Sequence, residues 1–273
     1  MKIIKTIEEL KEFRSSLDGS VGFVPTMGAL HDGHKSLIQK SVDQNDHTIV
    51  SVFVNPTQFL PGEDLEKYPR KEDDDTKICE TCGASAIFIP DANIMYSDKE
   101  PLVLAPNKFA NILEGKTRPG HFDGVLRVLT KFFNLVKPNR AYFGKKDTQQ
   151  LLIIQNYINT MFLDIEIIPC DIVRERDGLA LSSRNAYLSE EEKCMALRIS
   201  KSLQNALNFV ENGDLDSRSI KEEMLRILEP LKLDYVAIVN KELEEIQKVE
   251  EGNTIILVAA YVGKTRLIDN MWI

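Results

Sequence analysis

Apolar positions along this chain alternate between two rhythms, one helical and one strand-like. Ile7, Leu10, Phe13 and Leu17 recur at helical spacing and predict an opening amphipathic helix that ends near Asp18-Gly19. The apolar stretch Val21 to Val24 predicts a buried strand. Leu37, Ile38 and Val42 then mark one face of a helix, and Thr48 to Val54 predicts the next buried strand. Strand, loop, helix and strand in that order form a βαβ unit, which places a loop and a helix N-terminus at the carboxyl edge of a parallel sheet.

The same rhythm continues downstream. Ala86 to Ile89 predicts a strand, followed by an irregular region and a short helix around Phe109 to Leu113. Glu114 to Phe122 is rich in glycine and charge and predicts a mobile loop. Asp123 is then placed to cap a helix whose stripe of Val125, Leu126, Leu129, Phe132, Phe133 and Val136 belongs to the core. Arg140 to Phe143 and Ile165 to Ile168 predict strands on either side of a helix containing Leu151, Leu152, Ile154 and Ile158.

Beyond these, two helices (Glu190 to Val210, Ile220 to Leu228) precede three strands, around Tyr235 to Val239, Thr254 to Ala260 and Thr265 to Ile268. Alternating βα units followed by helices and then strands predict two domains. The expected fold is α/β: a Rossmann-like parallel-sheet nucleotide-binding domain over residues 1–173, with a smaller C-terminal α+β lid domain over 174–273.

Composition narrows the chemistry. The net charge of −8 argues against a generally basic, nucleic-acid-binding surface, so an anionic substrate has to be drawn by a local cluster of Lys and Arg. No apolar run approaches membrane-spanning length, and Met1 to Phe13 lacks a signal-peptide core. A soluble, cytoplasmic protein without nucleic-acid or membrane partners is expected. Cys79 and Cys82 have CxxC spacing, but no further pair of soft ligands matches them, so they read as buried helix cysteines. Asp73-Asp74-Asp75 point in different directions on a helix and read as a solvated helix start rather than a magnesium site.

Candidate chemistry concentrates in the loop after the Val21 strand, Pro25-Thr26-Met27-Gly28-Ala29-Leu30-His31-Asp32-Gly33-His34. Gly28 and Gly33 permit close approach of a ligand to the backbone, and His31 and His34 supply donors for phosphate oxygens beside a helix N-terminus. Asn55 and Gln58 emerge at the same sheet edge and are either crevice residues or an ordinary polar turn. Gly144-Lys145-Lys146-Asp147 is a second phosphate-loop candidate; without P-loop spacing it is equally a structural helix start. Ser182-Ser183-Arg184 offers two hydroxyls and a guanidinium to a polyphosphate, or makes a linker turn.

The H-x-G-H string in its P-T-M-G-A-L-H-D-G-H context resembles the nucleotidyltransferase superfamily that includes the class I aminoacyl-tRNA synthetases. Further colinear strings are F-V-N-P-T-Q-F, Y-P-R, G-K-T-R-P-G-H-F-D-G-V, Y-F-G-K-K-D-T-Q-Q and D-G-L-A-L-S-S-R-N-A-Y-L. Together they resemble the pantothenate synthetase (pantoate–β-alanine ligase) family from about Val21 to Leu188. The resemblance implies ATP-dependent condensation of pantoate with β-alanine through a pantoyl adenylate, with magnesium and in a homodimer. It implies that Met27, Gly28, Ala29, Leu30, His31, Asp32, Gly33 and His34 hold ATP, with His34 as proton donor and His31 as a further phosphate contact. Gly144, Lys145, Lys146, Asp147 and Val173 would frame the nucleotide, and Leu181, Ser182, Ser183 and Arg184 would close over its phosphates. Gln58 and Gln150 would bind pantoate, with Gln58 also near β-alanine and Asn55 lining the same site. His34, Lys146, Ser182, Ser183 and Arg184 are donors suited to charge developing at phosphorus. Magnesium would ride on the phosphates, with no protein ligand set.

Leu181 stands where the family often has Met, a change of shape more than volume. Two rivals are set beside this reading. One is another adenylyltransferase of the superfamily, acting on a phosphorylated cofactor precursor; the other is a nucleotide-binding module without catalysis.

Overall fold

The computed structural model describes all residues, Met1–Ile273, and the chain divides into two compact units. The first comprises Met1–Gly144 and Ile153–Cys170, the second Lys145–Leu152 and Asp171–Ile273.

The first unit opens with β1 (Lys2–Ile4) and α1 (Ile7–Ser15), followed by β2 (Val21–Thr26), α2 (Asp32–Gln44) and β3 (His47–Val52). It continues with α3 (Glu72–Thr81), β4 (Ala86–Phe88) and three short helices, α4 (Ala92–Met95), α5 (Asn107–Ala110) and α6 (Leu113–Thr117). Then come α7 (His121–Val136), β5 (Arg140–Gly144), α8 (Thr148–Thr160) and β6 (Glu166–Cys170), the division between units falling after Gly144 and again within α8. The six strands form one sheet in the order β1-β4-β3-β2-β5-β6, parallel throughout. β2 pairs with β3 on one side and β5 on the other, so the strand order reverses there. Ligand crevices open at such a point, outside the carboxyl ends of the strands.

Burial explains the pairing. Val21, Phe23 and Val24 of β2 and Ile49 and Val50 of β3 are fully buried, as parallel strands covered on both faces require. On one face Phe132 of α7 meets Phe23, Phe53 and Phe88 edge-on, at centroid distances of 5.6, 6.2 and 6.2 Å. On the other, Ile38 of α2 and Cys79 of α3 pack with Val24, Val50 and Ile87. Cys79 is therefore a core thiol, pushed up to about 12 by burial, while Cys82 caps α3 half-buried. No three His, Cys, Asp or Glu side chains gather where they could hold a metal ion.

Three local expectations are corrected. Asp75 is 1% exposed rather than part of a solvated helix start, because its carboxylate is drawn into the loop after β2. Residues 114–122 do not form a loose loop. Leu113–Thr117 is helical, and Arg118 is tied to Glu63 through two bonds of 2.7 Å. Asp123 does not cap α7, which begins at His121 after Gly120 in the left-handed region (φ 81°); its carboxylate takes the Ala105 amide at 2.7 Å instead.

The second unit contains α9 (Glu190–Glu211), α10 (Ser217–Leu228), β7 (Lys232–Asn240), β8 (Thr254–Val262) and β9 (Thr265–Trp272). The strands form an antiparallel sheet in the order β7-β8-β9. Alternate residues of β8, Ile256, Val258 and Ala260, meet Ile199 and Leu203 of α9 and Ile220 and Met224 of α10 in one core. Ser189 and Glu192 form a capping box that fixes the start of α9. No helix of the protein is long and apolar enough to cross a membrane.

Candidate active site

In the first unit, the candidate residues gather on the loop after β2. Thr26 Oγ1 donates to Ser51 O at 2.7 Å and accepts from Gly28 N at 3.2 Å, which turns the chain out of the sheet. Gly28 (φ 83°) and Ala29 (φ 50°) both sit in the left-handed region, uncommon for a residue with a Cβ. Asp75 holds them there: Oδ2 accepts from Ala29 N at 2.9 Å and Oδ1 from Leu30 N at 2.7 Å. A Cβ on residue 28 would stand 2.9 Å from Asp75 Oδ2 and from Val52 Cγ1, so glycine is needed for space as well as conformation. Burial pushes the Asp75 carboxyl above its ordinary range, and the two amides oppose that shift.

α2 begins directly after this turn, and its N-terminus is capped by histidine. His31 Nδ1 accepts from Gly33 N at 3.2 Å, and His34 Nδ1 accepts from His31 N at 3.3 Å. The two rings are tilted against each other with centroids 4.1 Å apart. A ring nitrogen that accepts from a backbone N–H carries no proton, so the neutral form of each imidazole holds its proton on Nε2. Both histidines are thereby set as Nε2–H donors at a helix N-terminus, the arrangement that suits a phosphate group. Asp32, in the first turn, is paired with Lys35 at 2.8 Å on the exposed side.

Asn55 and Gln58 lie in the turn after β3 and are both buried, at 1% and 8% exposure. Asn55 Nδ2 donates to Gln58 Oε1 at 2.9 Å, and Gln58 Nε2 reaches Met27 Sδ at 3.0 Å. The fold thus brings Met27, Asn55 and Gln58 into one chain of contacts. α7 presses against this turn through Gly124, where a Cβ would stand 2.2 Å from Thr57 O. Below it, His121 Nδ1 donates to Gln58 O at 2.8 Å, and Arg118 Nη1 donates to His121 Nε2 at 3.2 Å. Burial and the neighbouring Arg118 push His121 down to about 4, so it stays neutral.

The second unit carries the remaining candidates. Lys145–Asp147 form a single 3₁₀ turn before α8, and Asn270 of β9 holds it by donating to Lys145 O and Lys146 O, both at 2.9 Å. Trp272 Nε1 donates to Thr148 Oγ1 at 3.2 Å, and its ring lies under Lys145 Nζ at 5.7 Å. Gln150 stands in the first turn of α8, half-buried, in a different unit from Gln58. Val173 and Leu181 meet directly, Leu181 N donating to Val173 O at 3.0 Å across the turn at Gly178 (φ 99°). Ser182 Oγ accepts from Arg184 N at 3.3 Å and starts the 3₁₀ turn Ser183–Tyr187. Beneath it, Asn185 donates to Ala180 O at 3.0 Å and to Glu175 Oε1 at 3.2 Å.

Asp75, Asn270 and His121 are absent from the expected set. Each acts on backbone from at least 45 residues away in sequence. Asn270 and His121 carry no local signal of that role; Asp75 is visible only as one aspartate in a charged run.

A family model described as pantoate-beta-alanine ligase matches residues 2–272. Among curated relatives, the pantothenate synthetase of Campylobacter concisus (strain 13826) is 67% identical over 273 residues, covering 100% of both chains. That of Helicobacter pylori (strain Shi470) is 51% identical over 276 residues, again covering 100% of both. Of solved structures, pantothenate synthetase from Thermus thermophilus superposes with a TM-score of 0.93 at 38% identity, over 99% of each chain. The pantoate-beta-alanine ligase of Francisella tularensis, described as complexed with beta-gamma ATP and beta-alanine, gives a TM-score of 0.83 at 37% identity. It covers 100% of this chain and 97% of that one.

Proposed function

The chain belongs to the pantoate-beta-alanine ligase family, and on that premise we propose how its residues divide the work. The protein is an enzyme that makes pantothenate from pantoate and β-alanine with consumption of ATP. The proposed route has two steps. A pantoate carboxylate oxygen attacks the α-phosphorus of ATP, the bond from that phosphorus to the bridging oxygen breaks, and pyrophosphate leaves. The β-alanine amine then attacks the acyl carbon of the pantoyl adenylate, AMP leaves, and the nitrogen loses a proton as the amide forms.

The observation that carries this reading is the pair of histidines at the start of α2, each with Nδ1 committed to a backbone amide and Nε2 set as a donor. Charge builds on phosphoryl oxygens as pyrophosphate departs, and oriented donors stabilise that charge without reorganising. We assign His34 as the proton donor and His31 as a further phosphate contact, within a nucleotide-holding stretch from Met27 to His34. Gly144 to Asp147 and Val173 frame the nucleotide, and Leu181 to Arg184 cover its phosphates, with Lys146, Ser182, Ser183 and Arg184 opposing the developing charge. Gln58 and Gln150 bind pantoate, Gln58 also meeting β-alanine, with Asn55 beside it. Placing pantoate and ATP side by side supplies proximity, and no enzyme nucleophile is needed.

Magnesium is proposed to enter on the nucleotide phosphates. Its chemistry there would be to neutralise charge on those phosphates. We further assign the enzyme to the cytoplasm, where ATP is supplied, and to a homodimeric state, as the family resemblance implies; light scattering measures the latter. The test of the two-step route is isotope exchange between pyrophosphate and ATP. Exchange should require pantoate and proceed without β-alanine; equal exchange without pantoate refutes it.

A further inference from the structure

The amide of Asn55 is oriented in only one sense. Its Oδ1 accepts from the Tyr96 hydroxyl at 2.6 Å, the Thr57 hydroxyl at 2.9 Å and the Thr57 backbone N–H at 3.2 Å. Its Nδ2 donates to Gly124 O at 3.1 Å and to Gln58 Oε1 at 2.9 Å. A backbone N–H can only donate and a carbonyl can only accept, so a reversed Asn55 amide would lose both. At 1% exposure, water cannot replace those partners.

That sense passes on to Gln58. Because Asn55 presents a donor, Gln58 turns Oε1 toward it and carries Nε2 away, against Met27 Sδ at 3.0 Å. A primary amide nitrogen carries two hydrogens, and Met27 takes one of them.

Tyr96 sits at the outer end of this chain and is itself clamped. The Arg127 guanidinium lies 4.7 Å and Lys131 Nζ 5.0 Å from its ring centroid. Both cations are paired with Glu100. Burial pushes the Tyr96 phenol above its ordinary range, which keeps the hydroxyl a donor.

We propose that Tyr96 is a positioning residue for substrate recognition. Its hydroxyl is a third donor on Oδ1 that steadies the Asn55 amide in the sense set by the Thr57 N–H and the Gly124 carbonyl. Asn55 fixes the sense of Gln58, and Gln58 therefore offers Nε2–H, not a carbonyl, to the acid substrate. The group that docks at Gln58 must then be an acceptor, a carboxylate or hydroxyl oxygen. This inference rests on Gln58 binding pantoate.

Tyr96→Phe keeps the ring and its cation contacts and removes only the hydroxyl. The KM for pantoate should rise about fivefold, the usual cost of one neutral hydrogen bond. The KM for ATP and the thermal midpoint should stay near wild type. Asn55→Asp, which cannot donate to Gln58 when ionised, should raise the pantoate KM further. Gln58→Leu is the control for the underlying assignment. If Gln58→Leu leaves the pantoate KM unchanged, Gln58 is not a pantoate ligand. If Gln58→Leu raises it while Tyr96→Phe does not, or if Tyr96→Phe raises both KM values equally, the relay through Asn55 is overturned.

Discussion

The carboxylate of Asp75 lies 2.7 Å from the backbone amide of Leu30, forty-five positions earlier in the chain, and it holds the neighbouring Ala29 amide as well. Two consecutive amides that converge on one anion form a nest of the kind that elsewhere cradles phosphate. Here the protein fills the nest with its own side chain. Those two amides are committed to keeping Gly28 and Ala29 in their left-handed conformation. On the proposed assignment, contact with the nucleotide's phosphates in this unit falls to the stretch just beyond, where the two histidines cap α2.

Asp75→Asn should separate this role from bulk stability. An amide of the same shape accepts on one oxygen only, so either Ala29 or Leu30 faces an NH₂ group. Adenylation should fall by about tenfold, as a small misplacement of positioned groups costs. The stability loss should be smaller than for Asp75→Ala. The raised carboxyl means that ionisation costs folding free energy, a cost present above the ordinary carboxylate range that a neutral amide does not carry. Single-turnover adenylation and urea unfolding, measured on both variants, check the pair of expectations. Unaltered adenylation in Asp75→Asn would remove the loop-holding role.

Much of this site can be read from local pattern, and the contrast with Asp75 shows where that reading stops. Val21 to Val24, Gly28, His31 and His34 lie within fourteen consecutive residues, so strand, turn and helix start announce themselves together. The helical stripe from Val125 to Val136 is equally legible because its burial follows the helical period, and β8 because it is a nearly unbroken apolar run. Asp73, Asp74 and Asp75 look alike in sequence, yet only Asp75 is buried, since only it meets a turn supplied by another strand. β1 escapes the pattern for a different reason: three residues, two of them exposed, carry no period, and the strand exists through pairing with β4. Leu113–Thr117 and Arg118 read as a loose loop because glycine and charge dominate there. Glu63, whose partnership with Arg118 orders the segment, lies 55 positions away.

The histidine cap gives a second separation, between donor chemistry and helix start. His34→Ala removes both the Nε2–H donor and the acceptor for His31 N. Adenylation should drop about 10²–10³-fold, the usual cost of one donor aimed at developing charge. Loss of this capping-box contact should cost about 1 kcal/mol, the His31 side of the cap remaining in place. His34→Asn retains an acceptor near the His31 amide but loses the ring nitrogen. It should show the same fall in adenylation with most of the stability restored. Thermal unfolding and pyrophosphate exchange on the two variants provide the readout, and near-normal exchange in either would withdraw the assignment of His34.

The pH dependence of stability is set in part by a buried histidine. His121 sits under Gln58, donating from Nδ1 to Gln58 O and accepting at Nε2 from Arg118, with both ring nitrogens engaged. Burial comes first among the causes that lower it to about 4, the Arg118 charge adds to the effect, and Gln58 O, Glu114 and Glu63 oppose it. A histidine whose folded value lies below its unfolded one binds fewer protons folded than unfolded, so stability rises with pH across that interval. The contribution is complete above about 6.5 and is lost as pH falls toward about 4. At 1.36 kcal/mol per unit, the loss is on the order of 3 kcal/mol. Glu63 acts lower on the scale. Burial alone would raise it, but Arg118 outweighs burial and holds it below the usual carboxylate range, so its share is lost only as pH falls through that depressed value. Its contribution should therefore leave the interval above the ordinary carboxylate value nearly untouched. His121→Gln offers an NH₂ for Gln58 O and an oxygen for Arg118 without a titrating group. Urea unfolding at pH 7 and pH 5 should show a steep loss of stability for the wild type and a markedly flatter one for His121→Gln. Equal slopes for the two proteins would mean that His121 takes up its proton without breaking the contacts under Gln58.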